Sequence, residues 1–294
     1  MPKTNEPETA EKKGGAQNAS GDQHLLHMWS PFTPKIGPDY QYYRYPPLRK
    51  YLSFPIFKFI VQTLCPILDL CVLGYRVTGR ENMRALKGKR AVVVCNHIHP
   101  LDCTLMSLAM GWQHHFVLVL QSNLGIPVVR HAIRALGAVP VPDDSAYLES
   151  FTQQTLDVLE KDQKIMLYPE AVLHPYYDGL RKFHSGAFVF AARGRAPVCP
   201  LVITRHQPKG VFRWRKKPFL HIHVLPAIYP DPDADPIRDA ARMKRETKKA
   251  MQAYYDAHSD AVWRPPTQAP KKEPAEKQTG TTENAEEKSS GNSR

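Results

Sequence analysis

From residue 72 to residue 258, short runs of β-branched and aromatic residues alternate with longer segments whose apolar residues recur at helical spacing. Strands that alternate with helices gather into one sheet, because each helix packs back onto the sheet that its neighbours form. The pattern predicts an α/β domain with a single mixed sheet and helices on both faces. The predicted strands are "VLGYRVTG", "RAVVVCN", "HFVLVLQ", "AVPV", "KIMLYPE", "PVCPLVI" and "PFLHIHVLP", and the predicted helices are "DCTLMSLAMGW", "IPVVRHAIRALG" and residues 145–161, 186–194 and 235–258.

The two ends of the chain differ from this middle. Residues 1–27 and 263–294 are rich in Lys and Glu and have no apolar period, so we expect disordered tails there. Their charges nearly balance, and the net charge of +12 therefore lies in the body of the chain. A basic body indicates an anionic partner, which is a membrane surface, a phosphorylated substrate or a nucleic acid. No recognised nucleic-acid motif is present, so we expect no nucleic-acid partner. The membrane surface and the phosphorylated substrate stay open on charge alone, and membrane lipids are among the expected partners.

The cysteines, at positions 65, 71, 95, 103 and 199, are odd in number and form no CxxC pair. This spacing predicts neither a disulfide framework nor a zinc site. The first 23 residues lack the apolar segment of a signal peptide. We therefore expect a reducing, cytoplasmic setting.

Residues 28–71 form a segment of their own, and its last third is the most apolar part of the chain. Its longest charge-free run, residues 59–68, is far shorter than the roughly 20 residues of a spanning helix. We expect an amphipathic helical segment that lies in the membrane interface, peripheral or monotopic, on the cytoplasmic face. The alternative is a core helix of the domain. The predicted apolar stripe is Phe54, Phe57, Val61, Leu64, Leu68 and Cys71; the opposite stripe is Lys58, Gln62, Cys65 and Asp69, and Arg44, Arg49 and Lys50 suit anionic headgroups.

The stretch "CNHIHPLDC", residues 95–103, follows directly on a predicted buried strand. A neutral His at a strand end is a candidate general base near pH 7, and an Asp that accepts its other ring N–H would orient it. His97 and Asp102 are the predicted pair. Two alternatives stay open: Asp102 only caps the next helix, or His97, His99 and Asp102 form part of a metal site of a hydrolase.

These residues also carry a family resemblance. "NHIHPLD" resembles the NHxxxxD block of the phospholipid/glycerol acyltransferase family, and three further blocks occur in the family's order. "GIPVVRHAIRALGAVPVP" resembles the second block, "LYPEAV" followed by "RKFHSGAFVFA" the third, and "APVCPLVI" the fourth. The resemblance covers roughly residues 72–230, within a predicted acyltransferase domain at residues 72–262.

The resemblance implies transfer of a fatty acyl group from acyl-CoA or acyl carrier protein to the hydroxyl of a lysophospholipid, commonly 1-acylglycerol 3-phosphate. It implies no cofactor and no metal. His97 would take the proton of the acceptor hydroxyl, and Asp102 would hold the imidazole in the useful tautomer. Glu170 would line the acceptor pocket or cap a turn, and Asn96 and Gly137 fall in the family blocks and are assigned with them to substrate binding.

Two departures concern the acceptor phosphate. Where the family's second block ends in Arg this chain has Asp143, and where the third block reads PEGTR it has Ala171 at the Gly and Leu173 at the Arg. The nearest substitutes are Arg181 and Lys182, which otherwise form a solvated loop pair, and Arg130. The acceptor is therefore either a phosphate-bearing lysolipid held by these cations or a different substrate class. A basic membrane-binding module, suggested by "RWRKK" at residues 213–217, is a further alternative.

Overall fold

The computed structural model describes residues 35–44, 54–125, 134 and 137–261. The strands are β1 (Arg76–Thr78), β2 (Ala91–Cys95), β3 (His115–Leu120), β4 (Ala138–Val141), β5 (Lys164–Leu167), β6 (Val198–His206) and β7 (Phe219–Val224). The α-helices are α1 (Phe54–Thr63), α2 (Cys65–Leu73), α3 (Arg80–Ala85), α4 (Asp102–Met110), α5 (Leu148–Glu160), α6 (Gly186–Arg193) and α7 (Pro236–His258). Short 3-10 helices span Gln121–Gly125, Ser145–Tyr147 and Gly210–Phe212.

The described strands form one seven-stranded sheet in the order β1-β7-β6-β2-β5-β3-β4. Strands β2 to β6 are mutually parallel, β7 pairs antiparallel with β6, and β1 pairs parallel with β7. The predicted mixed sheet is confirmed. Strands β2 to β6 all end at one edge of the sheet, which we call the carboxyl edge; the opposite one is the amino edge.

The position of β2 in the sheet explains why the sequence is apolar at every position from residue 91 to residue 95. All five of its residues are buried, as expected for a central strand that is covered on both faces. Val94 belongs to the core that includes Phe188 of α6 and Met243 of α7. Val93 belongs to the core that includes Leu105 of α4. Helices therefore pack on both faces of the sheet, as the sequence predicts.

Two element boundaries can be compared with the sequence prediction: the start of α7 and the start of the first strand. Helix α7 begins as predicted, because the Asp235 side chain accepts from the backbone N–H groups of Ile237 and Arg238, each at 3.1 Å. The predicted strand at residues 72–79 is wrong over its first part, since α2 continues to Leu73. Gly74 ends that helix with a φ of 57°, and a Cβ there would come within 2.0 Å of the Phe219 ring. The predicted helix at residues 126–137 and both predicted tails lie largely outside the described residues.

Helices α1 and α2 place two polar side chains, Gln62 and Asp69, against the domain. Gln62 donates from Nε2 to the carbonyl oxygens of Ser107 and Gly111 at 2.8 and 3.2 Å. Asp69 is fully buried, and the Thr104 hydroxyl lies 2.9 Å from its Oδ2. The outer face is apolar, with exposed side chains at Ile56, Phe59, Ile60, Leu64, Ile67 and Leu70.

The predicted stripes can be compared with the structure at three side chains, Leu64, Gln62 and Asp69. Of the predicted apolar stripe only Leu64 has a described side chain, and it is 60% exposed. The predicted polar stripe does not face solvent at Gln62 and Asp69, because both side chains bind α4 or the turn that ends it. Within the described part of the chain, every helix is too short or too polar to cross a bilayer.

Asp69→Asn is expected to stabilise the protein near pH 7.5 more than near pH 4.5. Burial raises the pKa of Asp69 to about 6, above its ordinary value of 3.8. Because the folded state holds this proton more tightly than the unfolded state, stability falls as the pH rises from about 4 through 6. Asparagine avoids that loss, which amounts to at most about 3 kcal/mol. Its amide can donate to Thr104 Oγ1, whose hydroxyl donates to the Leu101 carbonyl at 2.7 Å.

Urea unfolding of wild type and variant at the two pH values measures this effect. The gain should be small at the lower pH and largest at the higher one. A variant that is less stable than wild type at both values would show that Asp69 is held as a favourable ion.

Candidate active site

Asn96 fixes the end of β2 at the carboxyl edge. Its Nδ2 donates to the Ile203 carbonyl at 3.0 Å, and its Oδ1 accepts from the Ile203 N–H at 2.8 Å, so one amide pairs with both backbone groups of a β6 residue. The side chain is fully buried. Asn96 therefore positions the turn that follows β2, and a direct contact with substrate stays a prediction.

His97 and Asp102 form the predicted pair. The Nδ1 atom of His97 lies 3.1 Å from Oδ2 of Asp102, which is fully buried at the start of α4. The same carboxylate oxygen accepts from the backbone N–H groups of Ile98 and His99 at 2.7 and 2.9 Å. These donors precede the helix, so Asp102 closes the turn from residue 97 to residue 99 rather than capping α4. With Nδ1–H donated to Asp102, the lone pair of His97 lies on Nε2.

The His97 ring is held by an aromatic neighbour that the sequence reading missed. Tyr168, which follows β5, stacks on it with a centroid separation of 3.9 Å and an interplanar angle of 11°. The imidazole is therefore fixed by Asp102 at one edge and by Tyr168 on one face, while its side chain stays 20% exposed. Tyr168 stands two residues before Glu170 in "KIMLYPE", and its position at a strand end is the signal that would have suggested it.

Glu170 braces the same turn. Its Oε2 accepts from the His97 backbone N–H at 3.3 Å, and its Oε1 accepts from the Arg181 backbone N–H at 3.1 Å. Burial raises its pKa to about 7, and the backbone hydrogen bonds from Arg181 and His97 oppose that rise. Glu170 thus links the loop after β5 to the base, and its predicted place in the acceptor pocket stays a prediction.

The two substitute cations next to Glu170 differ in setting. The Arg181 guanidinium donates from Nη1 to the Val172 carbonyl at 3.1 Å, so this half-buried side chain also holds the loop after β5. Lys182 is exposed. The Arg181 backbone is therefore connected through Glu170 to the His97 backbone, and the binding of an anion by its guanidinium stays a prediction.

The family positions that have lost their usual residues are also visible. Ala171 has a φ of 61°, a left-handed conformation in which glycine is the least strained residue, and this explains the family's Gly there. Leu173 is half-buried and Asp143 is exposed. Asp143 follows β4 at the carboxyl edge, so the edge carries an acidic side chain where the family places an arginine.

Gly137 is a predicted substrate residue whose surroundings are described. Gly137 lies at the amino edge, where its carbonyl accepts from the Val117 N–H at 2.9 Å. Its φ is 94°, and a Cβ there would come within 2.6 Å of the His115 carbonyl oxygen, so strand packing requires glycine. This packing accounts for the glycine without a substrate, and the assignment of Gly137 to substrate binding stays a prediction. Arg130 lies outside the described residues.

His99, the residue that suggested a metal site, has different partners from His97. Its Nδ1 accepts from the Leu101 N–H at 3.2 Å, and its ring packs edge-on against Tyr176 with centroids 5.5 Å apart. Burial lowers the pKa of His99. Among the residues that the structure describes, no three His, Cys, Asp or Glu side chains cluster in a way that could hold a metal ion.

Known proteins are similar to this chain in sequence and in fold. Residues 74–204 match the family model described as Acyltransferase. A Caenorhabditis elegans protein, provisionally named 1-acyl-sn-glycerol-3-phosphate acyltransferase acl-1, is 25% identical over 191 residues, which is 62% of this chain and 69% of that protein. The crystal structure of the 1-acyl-sn-glycerophosphate (LPA) acyltransferase PlsC from Thermotoga maritima superposes with a TM-score of 0.52 at 16% identity, over 72% of this chain and 82% of that one.

At 16% identity, the likeness to the Thermotoga maritima structure concerns the fold. The family model covers the strands and loops that build the site. Together they define an acyltransferase enzyme. The match over residues 74–204 and the similar proteins support the phospholipid/glycerol acyltransferase family.

Proposed function

We propose that this enzyme transfers a fatty acyl group from a thioester donor, acyl-CoA or acyl carrier protein, to the free hydroxyl of a lysophospholipid, with 1-acylglycerol 3-phosphate as the leading acceptor. The observation that carries the proposal is the His97–Asp102 pair at the carboxyl edge, in which Nδ1 faces Asp102 and the His97 side chain is 20% exposed. The similar proteins from Caenorhabditis elegans and Thermotoga maritima are named for acylation of this kind of acceptor.

In the proposed mechanism, Nε2 of His97 takes the proton of the acceptor hydroxyl as its oxygen attacks the thioester carbonyl. The Asp102 carboxylate, which already accepts from Nδ1, stabilises the imidazolium that forms. The tetrahedral intermediate then expels the thiolate, which takes the proton back from His97. The new ester and the free thiol are the products, and the step uses no cofactor and no metal.

A direct test is an assay of the purified protein in detergent with both acyl donors and a panel of lysophospholipids. Esterification of at least one lysophospholipid with release of free thiol is the expected result. Hydrolysis of the thioester without any acceptor ester would point to a thioesterase instead.

Arg181→Ala is expected to raise the KM for 1-acylglycerol 3-phosphate by about tenfold or more, because a charge-assisted hydrogen bond to phosphate contributes about 1.5–3 kcal/mol. The KM for the acyl donor should change little. Lys182→Ala is the matched control, since it removes the neighbouring cation, which is exposed.

The same kinetics decide between two acceptor classes. Leu173 and Asp143 stand where the family uses arginine, which favours an acceptor without a phosphate. If wild type prefers a monoacylglycerol to 1-acylglycerol 3-phosphate, and Arg181→Ala has no effect on either, the enzyme acts on this second class.

The acceptor is a membrane lipid, and we propose that the enzyme binds the cytoplasmic face of the bilayer as a peripheral or monotopic protein. The outer face of α1 and α2 supports this location. Its exposed side chains include Phe59, Ile67 and Leu70, whose exposed fractions are 59%, 63% and 59%. A contiguous apolar face of this kind marks an interaction surface on a soluble domain.

A further inference from the structure

The loop between β6 and β7, residues 207–218, exposes large apolar side chains at the carboxyl edge. Val211 is 81% exposed, Phe212 44% and Trp214 78%. Strand β6 ends at this edge and β7 begins there, so the loop lies on the same side of the sheet as His97. An isolated exposed apolar residue needs no explanation, but three within four positions form a patch.

Cations surround this apolar patch. The loop contains Lys209, Arg213, Arg215, Lys216 and Lys217, and it contains no Asp or Glu. The Arg215 guanidinium lies 4.9 Å from the centre of the Phe219 ring, and the Lys217 ammonium lies 5.8 Å from that of Tyr176. Arg213 and Lys216 are exposed. Tryptophan beside Lys and Arg is the composition of surfaces that bind at the boundary between headgroups and acyl chains.

The loop is also connected to the end of α2 through Phe219. The rings of Phe212 and Phe219 pack edge to face with centroids 5.5 Å apart. Phe219 in turn packs against Gly74, the residue that ends α2. Two contacts therefore connect the exposed loop to the helix whose outer face presents Ile67 and Leu70.

We propose that residues 209–217 form a second contact with an anionic lipid bilayer, beside the outer face of α1 and α2. Val211, Phe212 and Trp214 enter the interface, and Arg213 and Lys216 bind lipid phosphates. Two contacts fix the orientation of the domain, so that the bilayer lies against the carboxyl edge that carries His97. The proposal rests on the proposed function only in that the same bilayer supplies the acceptor.

The experiment measures binding to vesicles of phosphatidylcholine alone and of phosphatidylcholine mixed with phosphatidylglycerol. Arg213→Gln/Lys216→Gln should weaken binding to the anionic vesicles by about 25-fold, at about fivefold for each cation, and change binding to neutral vesicles little. Val211→Ser/Trp214→Ser should weaken binding to both kinds of vesicle by about tenfold or more.

Matched controls lie at the amino edge. Arg84→Gln/Lys87→Gln removes the same charge from exposed positions that precede β2. Ile237→Ser removes a side chain that is 80% exposed at the start of α7. Neither control should change vesicle binding as the loop variants do, and an equal loss in the controls would show that only net charge or overall hydrophobicity matters.

A second measurement uses the fluorescence of Trp214 and does not depend on a variant that binds less well. The chain has four tryptophans, and Trp29→Phe/Trp112→Phe/Trp263→Phe leaves Trp214 alone. Its fluorescence should shift to shorter wavelength on anionic vesicles and be quenched by brominated acyl chains. Unchanged emission, or loop variants that lose binding to a DNA duplex but keep binding to vesicles, would overturn the proposal.

Failure of this proposal can be told from failure of the proposed function. The loop variants should acylate a short-chain, water-soluble lysophospholipid as fast as wild type, since they leave His97 and Asp102 untouched. If no variant, wild type included, acylates any lysophospholipid but the vesicle losses occur, the function is wrong and the membrane contact stands. If transfer proceeds but the loop variants bind vesicles like wild type, the contact alone is wrong.

Discussion

His97→Ala is expected to fold normally and to lose acyl transfer by about 10²- to 10⁴-fold, the range that a positioned general base contributes. The loss follows from geometry: Nδ1 is committed to Asp102 at 3.1 Å, so Nε2 is the atom left to accept the acceptor's proton. The fold should persist because the ring is 20% exposed and lies at the edge of the core. The KM values should change less than kcat, since the proton moves only in the reaction step.

Asp102→Asn should produce a loss in the same range. The amide oxygen can still accept from the backbone N–H groups of Ile98 and His99, so the turn is retained. The negative charge that stabilises the imidazolium is gone, and the loss therefore falls on kcat. Circular dichroism and thermal unfolding check that both variants are folded.

His99→Ala is the matched control for His97. It lies two residues away in the same turn, but its ring packs against Tyr176 rather than Tyr168. His99→Ala should therefore reduce acyl transfer far less than His97→Ala. If His97→Ala retained full turnover, the base would be misassigned; an equal collapse in His99→Ala, together with inactivation by a strong chelator, would instead support a metal-dependent hydrolase.

The sequence was sufficient for the fold wherever the pattern is local. The run "AVVVC" is apolar at every position because β2 is covered on both faces, and "DADP" begins α7 with a side-chain cap. The His97–Asp102 pair was also predictable, because both residues lie in one turn of the chain. The predicted residues that share an edge with them, Asn96, Glu170 and Arg181, were identified through the family blocks.

Contacts between distant segments could not be predicted in this way. Tyr168 stacks on His97 only because β5 pairs with β2, and Gly137 is needed at the amino edge only because β4 approaches β3 there. The orientation of α1 and α2 is the clearest case. A polar stripe on a helix is ordinarily assigned to solvent, but here Gln62 and Asp69 bind groups on the domain, which leaves apolar side chains outside.

That orientation predicts how the protein is attached to membranes. Leu64→Ser/Ile67→Ser/Leu70→Ser should move the protein from the membrane fraction to the soluble fraction. The three wild-type side chains are 60%, 63% and 59% exposed, and they do not contribute to the core. If each inserts about half of its surface into lipid at about 1 kcal/mol, the partition coefficient should fall by roughly 100-fold.

The variant keeps Gln62 and Asp69, whose bonds to Ser107, Gly111 and Thr104 hold the helices on the domain, so turnover of a short-chain, water-soluble acceptor should be retained. High salt should release only part of the wild-type protein, because salt screens the contacts of basic residues with anionic headgroups but not the apolar contact. Ile237→Ser, which removes an equally exposed side chain at the amino edge, should leave the wild-type distribution unchanged. A folded triple variant that stays with the membranes would show that the outer face of α1 and α2 is not the principal contact, and attachment would then depend on residues elsewhere in the chain.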